Sequence, residues 1–389
     1  PPGEVSTTTR ADAGARISDS PITIIGTTPQ QVAPRSAATA PQVAELELGL
    51  HRADSGYVVD ARLSRGQSDV ELSGSSQRPA PAVLDLSALR AEELNLSAYG
   101  QLLTEGLLAD RALRDFVMQA LSVTQSAGQP LSLQLRIASS APELHALRWE
   151  TLCHPTSGDP LALSQHIWMA RTLGSADWAP ITRPDRQALR ALGIIAAPTN
   201  LTDFNLSPID TVRETELARA TFGSRATVIA GHAASLRRIG PALRTGYDIL
   251  YLVAHGRMIG AEAHLYLAGD DGRAEVVRAA ELITRVRELK HRPRLAILTV
   301  CNSAGRGDEH AIAALGPQLI AAGVPAVVAA QGNLSIESAA TFNPVLFQNL
   351  QQHGQIDQAV AEARASIRDR HDWWAPALLT RLRGRQLWE

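Results

Sequence analysis

Four short, almost wholly apolar runs constrain the fold of this chain more than any other feature: 191–197, 249–254, 295–300 and 326–330. None alternates polar with apolar residues, β-branched side chains recur in them, and all are shorter than a buried helix. Each therefore reads as a strand covered on both faces, like the strands of a parallel sheet between two helical layers. Helical spacing near 211–222, 233–244 and 278–290 and a further strand at 226–230 fill the intervals, and helices near 336–352 and 355–370 follow. This alternation predicts an α/β fold with a mostly parallel, doubly wound sheet. Two of the runs stop at a reactive side chain followed by small residues: Val253-Ala254-His255-Gly256, and Thr299-Val300-Cys301-Asn302-Ser303-Ala304-Gly305. Parallel strands would carry His255 and Cys301 to one carboxyl-end edge, where open α/β sheets bind ligands.

Composition narrows the function classes. With 389 residues the chain has room for two domains, and its 45% apolar and 20% charged content is that of an ordinary globular protein. A formal net charge of −2 leaves no basic excess to neutralise phosphates, which argues against general nucleic-acid binding. Two cysteines, Cys153 and Cys301, are too few for a disulfide framework and point to a reducing, cytoplasmic setting. No charged-then-apolar signal segment opens the sequence, which starts Pro-Pro rather than Met, as a piece of a longer protein would. Residues 311–336 carry no charge and are long enough to raise the question of a membrane span. Gly316-Pro317 and Gly323-Val324-Pro325 instead divide them into a helix, a turn and a strand, so no membrane contact is expected.

Residues 1–44 are rich in Pro, Thr, Ser, Ala and Gln, with one apolar patch at Ile22-Thr23-Ile24-Ile25. That is too little apolar surface to offset the entropy of ordering, and a flexible extension or linker is expected. Period-two alternation in Ala44–Leu50 and Tyr57–Leu63, around Asp54-Ser55-Gly56, predicts a hairpin with one wet face. Further strands are expected at 82–86, before an N-cap at Ser87, and at 131–137, with helical spacing from 98 to 121 between them. Residues 45–180 thus read as an N-terminal α+β domain containing an antiparallel sheet, and 187–384 as the α/β domain that carries the site.

The chemistry follows from the residue types. A thiolate is the nucleophile of acyl transfer, and a neighbouring imidazole can take the thiol proton and return it to the leaving amine. Gly256 lets a substrate backbone approach closely, and the backbone N–H groups of Gly256 and Cys301 are candidates for an oxyanion hole. Burial of a cysteine at a strand end is the competing reading of the residues alone. Other chemistries lack their words. There is no Gly-x-Ser-x-Gly elbow, no glycine loop ahead of Lys290 (the single lysine), no His-Glu-x-x-His and no Cys-x-x-Cys, so neither a serine hydrolase, a nucleotide-binding loop nor a zinc site is suggested. Cys153-His154 stands between a strand expected at Trp149 and a turn at Pro155 and reads as structural.

Around these residues the chain resembles the CHAT branch of the caspase-like, separase-like cysteine peptidases. The resemblance is carried by Leu147-Arg148-Trp149-Glu150-Thr151-Leu152 with its following His154-Pro155 and Pro160–Leu163, and by Ala254-His255-Gly256 with Leu265–Ala268 and Ala279–Leu282. It continues in Leu298–Ala304, in Gly323–Ala329 and in Trp373–Leu379, so that five words in order cover about 45–382. The spacing of 46 residues between His255 and Cys301 (301 − 255) is close to the roughly 50 residues that separate histidine from cysteine in caspases.

The resemblance implies a caspase-like sheet, His255 as acid/base, Cys301 as nucleophile and endopeptidase action on a protein substrate without metal or cofactor. It also implies a bacterial role in antiviral defence or regulated cell death, with latency relieved by a sensor or activator protein. The caspase Gln-Ala-Cys-x-Gly word is absent, and Thr299 stands where its glutamine would be. Specificity is open: Asp203 and Asp210 after the first strand could hold a substrate Arg or Lys, unless they are loop carboxylates or helix caps. Asn302 and Gln331 end neighbouring strands and could line the same pocket, unless they are ordinary turn residues. The rival from another class is an inactive scaffold that uses the same fold to bind a partner.

Overall fold

The computed structural model describes residues 43–388 except 55, 67, 72–78, 174–184, 261, 300–308, 333 and 383–384, and the side chains of 68, 71, 187 and 309–313 are also outside it. The expected extension at 1–44 lies almost wholly outside the described residues, and most of the expected domain boundary near 180–187 does too. The strands are β1 (Ala44–Ala53), β2 (Gly56–Arg65), β3 (Ser68–Glu71), β4 (Ala80–Ala82), β5 (Leu131–Ile137), β6 (Ile167–Thr172), β7 (Ala191–Ile195) and β8 (Ala226–Ala230). They continue as β9 (Ile249–Val253), β10 (His255–Ile259), β11 (Glu262–Ala268), β12 (Ala274–Arg278), β13 (Leu295–Thr299), β14 (Ala326–Ala330) and β15 (Pro376–Thr380). The helices are α1 (Leu86–Ala91), α2 (Leu96–Leu107), α3 (Arg111–Ser126), α4 (Thr211–Phe222), α5 (Leu236–Arg244), α6 (Ala279–Arg287), α7 (Glu309–Ala321), α8 (Ile336–His353) and α9 (Ile356–Ala365).

Twelve strands form one sheet in the order β3-β2-β1-β5-β6-β15-β14-β13-β9-β7-β8, with β4 on β2, and β10-β11-β12 form a separate antiparallel sheet. The fold is the expected α/β type with a mostly parallel sheet between helices, and the hairpin of β1 and β2 closes at Ala53↔Gly56 as read from its alternation. One feature of the pairing was not legible. β1, β5, β6 and β15 run parallel to one another, as do β14, β13, β9, β7 and β8, and the two blocks meet head to tail at the antiparallel β14–β15 pair, Ala330↔Pro376. The amino-terminal ends of β5 and β6 therefore share an edge with the carboxyl-terminal ends of β13 and β14.

Alternation explains why the four runs are almost wholly apolar. Along β9, Ile249, Tyr251 and Val253 enter one buried core cluster while Leu250 and Leu252 enter the other. β13 divides the same way, Leu295 and Ile297 against Ala296 and Leu298. The first cluster takes Leu217 and Phe222 of α4 and Phe342 and Leu346 of α8; the second takes Ile239 of α5, Leu282 of α6 and Leu315 of α7. A strand with a helical layer on each face has no wet side on which to place a polar residue. β1 and β5 are different. Leu46, Leu48, Leu133 and Leu135 are buried on one face, while Glu47, Asp60 of β2 and Arg136 pair on the other.

Three local expectations are corrected. The helical spacing from 98 to 121 belongs to two helices, because Asp110 caps α3 by accepting a hydrogen bond from the Leu113 N–H at 2.9 Å; the apolar periodicity runs through the break and conceals it. The strand expected at 82–86 stops at Ala82, since Asp85 accepts from the Ser87 and Ala88 N–H groups and starts α1, so Asp85 and not Ser87 is the cap. Trp149 sits in a single 3₁₀ turn, Trp149–Thr151, with its indole N–H bonded to the Leu144 carbonyl at 2.7 Å, not in a strand. The uncharged stretch 311–336 is the end of α7, a turn and β14. Among the described residues no helix is long and apolar enough to cross a membrane.

Candidate active site

His255 stands where the chain changes sheets. β9 pairs with β13 up to Val253↔Thr299, and the next residue but one, His255, opens β10 and pairs with Tyr266 of β11. This step puts the imidazole at the edge of the main sheet, above the carboxyl-terminal end of β13. Cys301 follows Thr299 by two residues in the chain; it and Asn302 lie outside the described residues. Gly256 is described, buried in β10 opposite Leu265.

The imidazole is almost fully buried, with 1% relative exposure. Its Nε2 donates to the Ser207 carbonyl oxygen at 2.8 Å, which leaves Nδ1 as the unprotonated nitrogen of a neutral ring. Nδ1 is buried and has no hydrogen-bond partner among the described residues. Burial lowers the pKa of His255 below its ordinary value of 6.5, and the Ser207 carbonyl offsets part of that shift. The ring is therefore neutral at pH 7, with one basic lone pair that no described residue engages in a low-dielectric place.

The Ser207 carbonyl is itself fixed by a strapped loop. The turn Leu201–Phe204 ends at Asn205 in the left-handed region (φ 55°), and the Leu206 N–H returns to the Leu201 carbonyl. The Asn200 side-chain oxygen accepts from the Ala274 N–H at 2.6 Å, and the Thr199 N–H donates to the Gly272 carbonyl at 3.0 Å. The Phe204 ring meets Tyr266 edge-on at 5.1 Å. Asp203 pairs with Arg273 at 3.0 Å and accepts from the Asn200 amide. Asp210 caps α4, accepting from the Val212 and Arg213 N–H groups. Both carboxylates proposed from sequence for a basic-residue pocket thus have partners already, and Asp210 is the helix cap that its position allowed.

Gln331 is also committed. At the end of β14 its amide accepts from Arg171 and donates to the His145 carbonyl at 3.2 Å, and its backbone N–H donates to Ala375. It is the outer member of a buried network. Arg171 donates to both oxygens of Glu150 and to the carbonyls of His145 (2.9 Å) and Leu147 (3.1 Å), with Arg171 and Glu150 each 1% exposed. Arg364 is buried beside them, donating to the Pro376 carbonyl at 2.7 Å, and burial pulls its pKa down to about 10. The tryptophan-glutamate word at 149–150 is therefore a core ion pair that ties the N-terminal half to the strand next to β13.

Burial and then the Arg171 charge hold His145 at a pKa of about 4, from 6.5. Its unfolded form binds a proton that the folded form refuses, so stability is full above pH 6.5 and falls as pH drops toward 4. Asp357 has the opposite sign: burial raises it from 3.8 to about 6, so the stability it lends is present below 3.8 and lost as pH rises through 6. His145→Gln is expected to flatten the decline in melting temperature between pH 6.5 and 4, and an unchanged slope would show that folding does not lower the pKa of His145.

Sequence reasoning missed Ser207 and Arg171. Ser207 acts through a backbone carbonyl, which every residue carries, so no residue type announces it. Arg171 had one signal, an arginine that directly follows the apolar run Ile167–Ala170. Cys153 is buried with its thiol donating to the Thr151 carbonyl at 3.2 Å, and burial raises its pKa, as a structural cysteine requires. Among the described residues no cluster of His, Cys, Asp and Glu could hold a metal ion.

A comparison with curated proteins found no match. Among solved structures, the Arg-specific cysteine proteinase gingipain R is similar at 10% identity with a TM-score of 0.40, the match covering 69% of this chain and 66%, just under two thirds, of that one. The complex of the Porphyromonas gingivalis RgpB pro- and mature domains is similar at 11% identity with a TM-score of 0.41, covering 77% of each chain. The family model described as CHAT domain matches residues 97–381, well over half of the sequence. The chain belongs to the CHAT domain family, as its five sequence words indicated.

Proposed function

We propose that this chain is a cysteine endopeptidase that hydrolyses peptide bonds of a protein substrate with His255 and Cys301. The observation that carries the reading is the state of His255: buried, neutral, tied through Nε2 to the Ser207 carbonyl, with Nδ1 left without a partner among the described residues. A buried nitrogen without a partner costs stability and calls for a reason; a proton acceptor waiting for a thiol is one. Nδ1 takes the Cys301 proton and the thiolate adds to the scissile carbonyl. The N–H groups of Gly256 and Cys301 receive the oxyanion, and the imidazolium returns its proton to the leaving amine. Water, deprotonated by the same nitrogen, then releases the acyl group and restores the thiol. Control by an activating partner protein and a part in bacterial antiviral defence or regulated cell death belong to the same proposal and rest on the family.

The test is cleavage of a diverse peptide library by the wild type and by Cys301→Ala, with iodoacetamide labelling of both cysteines beside it. Cleavage should vanish in the variant, and Cys301 should alkylate about a hundredfold faster than buried Cys153. A wild type that stays silent with candidate partner proteins, and whose Cys301 labels no faster than Cys153, would favour the inactive scaffold.

A further inference from the structure

The register of the small sheet places a cationic row beside the catalytic one. His255, Tyr266 and Val276 are direct partners across β10, β11 and β12, and two residues further on so are Arg257, His264 and Arg278. Side chains of direct partners share a face, so both rows lie on one face, about 7 Å apart along the strands. The other face, with Leu265, Leu267, Ala263 and Val277, is buried in the second core cluster. Row one is roofed by Phe204 on Tyr266. In row two His264 is buried, but the two arginines that flank it emerge past that roof: Arg257 is exposed and Arg278 keeps 61% side-chain exposure, and Ile259 beyond row two and Val276 at the end of row one are 49% and 39% exposed.

This row does nothing for folding. Two guanidinium groups stand on one face two strands apart, about 10 Å at the spacing of neighbouring strands, with His264 between them. Arg257 has no ion pair among the described residues, and Arg278 has only Glu281, at 3.9 Å. His264 bonds through Nδ1 to the Glu262 carbonyl, and the one carboxylate on this face, Glu262, stands opposite Ile259. No other acidic side chain of the three strands shares the face, since Glu275 pairs with Leu267 on the other.

We propose that Arg257 and Arg278 dock an acidic segment of the protein substrate within about two to four residues of the bond presented to His255, the distance that one row spacing allows an extended chain. The inference rests on the peptidase reading and names its substrate class: acidic flanks, held by exposed arginines at the mouth of the site. The exposed Ile259 and Val276 would take apolar neighbours of the acidic residues.

The test separates docking from cleavage. Binding of a short fluorescein-labelled Glu- and Asp-rich peptide, and of its Gln and Asn twin, is measured by anisotropy on Cys301→Ala, with and without Arg257→Gln and Arg278→Gln. The acidic peptide should bind about tenfold tighter than its twin at low salt, and the double arginine replacement should bring the ratio close to one. Arg257→Glu should invert the preference. Equal binding of the two peptides, or a preference that survives the double replacement in variants that melt like the parent, would overturn the proposal. If the preference holds while the wild type cleaves nothing even with candidate partner proteins and Cys301 labels no faster than Cys153, docking stands and the peptidase reading falls.

Discussion

Replacing His255 by alanine is expected to lower kcat/KM by about 10²–10⁴-fold, the usual worth of a positioned acid/base. His255→Gln should lose as much, although its amide can still donate to the Ser207 carbonyl; the loss then belongs to the titratable nitrogen and not to the hydrogen bond. The wild-type profile carries the sign. Catalysis by a neutral imidazole rises with pH through its pKa, and burial puts that pKa below 6.5, so kcat/KM should still be on its plateau at pH 7 and decline only in the acid range. Melting curves taken alongside assign the loss to chemistry if the variants remain folded. A glutamine variant with more than a tenth of wild-type activity would remove His255 from the mechanism.

Replacing Glu150 by alanine is expected to cost about 3–5 kcal/mol of stability, the usual effect of stranding a buried charge. Arg171 would lose the acceptors of its Nε and one of those of its Nη2, and Arg364 would lose the negative charge that opposes its desolvation. The pair as a whole is a different matter: replacing Glu150 and Arg171 together by leucine and methionine should recover much of the loss, because desolvation of both ions is avoided. Urea unfolding of the single and double variants measures this, and a Glu150→Ala loss under 1 kcal/mol would mean that water reaches the pair. Because Arg171 also holds Gln331 at the carboxyl-terminal end of β14, the strand paired with β13, the double variant should remain folded yet turn over more slowly.

The amino-acid sequence alone determined which segments are strands covered on two faces, because a strand between two helical layers has little room for polar residues, and β7 and β14 carry none while β13 carries only Thr299 at its carboxyl-terminal end. It also determined the hairpin, the histidine just past the end of β9, and the family, since those are local patterns of residue type. Tertiary structure alone decided what lies far apart in the chain. The reversal between the two parallel blocks is a choice of hydrogen-bonding partner at β14–β15, and side-chain periodicity records faces but not neighbours. Asp203 and Asp210 looked available until Arg273 and the first turn of α4 were seen to hold them. Glu150 found its arginine 21 residues away (171 − 150), just after the apolar run that opens β6. The group that fixes the tautomer of His255 is a backbone carbonyl 48 residues earlier (255 − 207), and a carbonyl common to every residue leaves no trace in a sequence until folding brings it into reach.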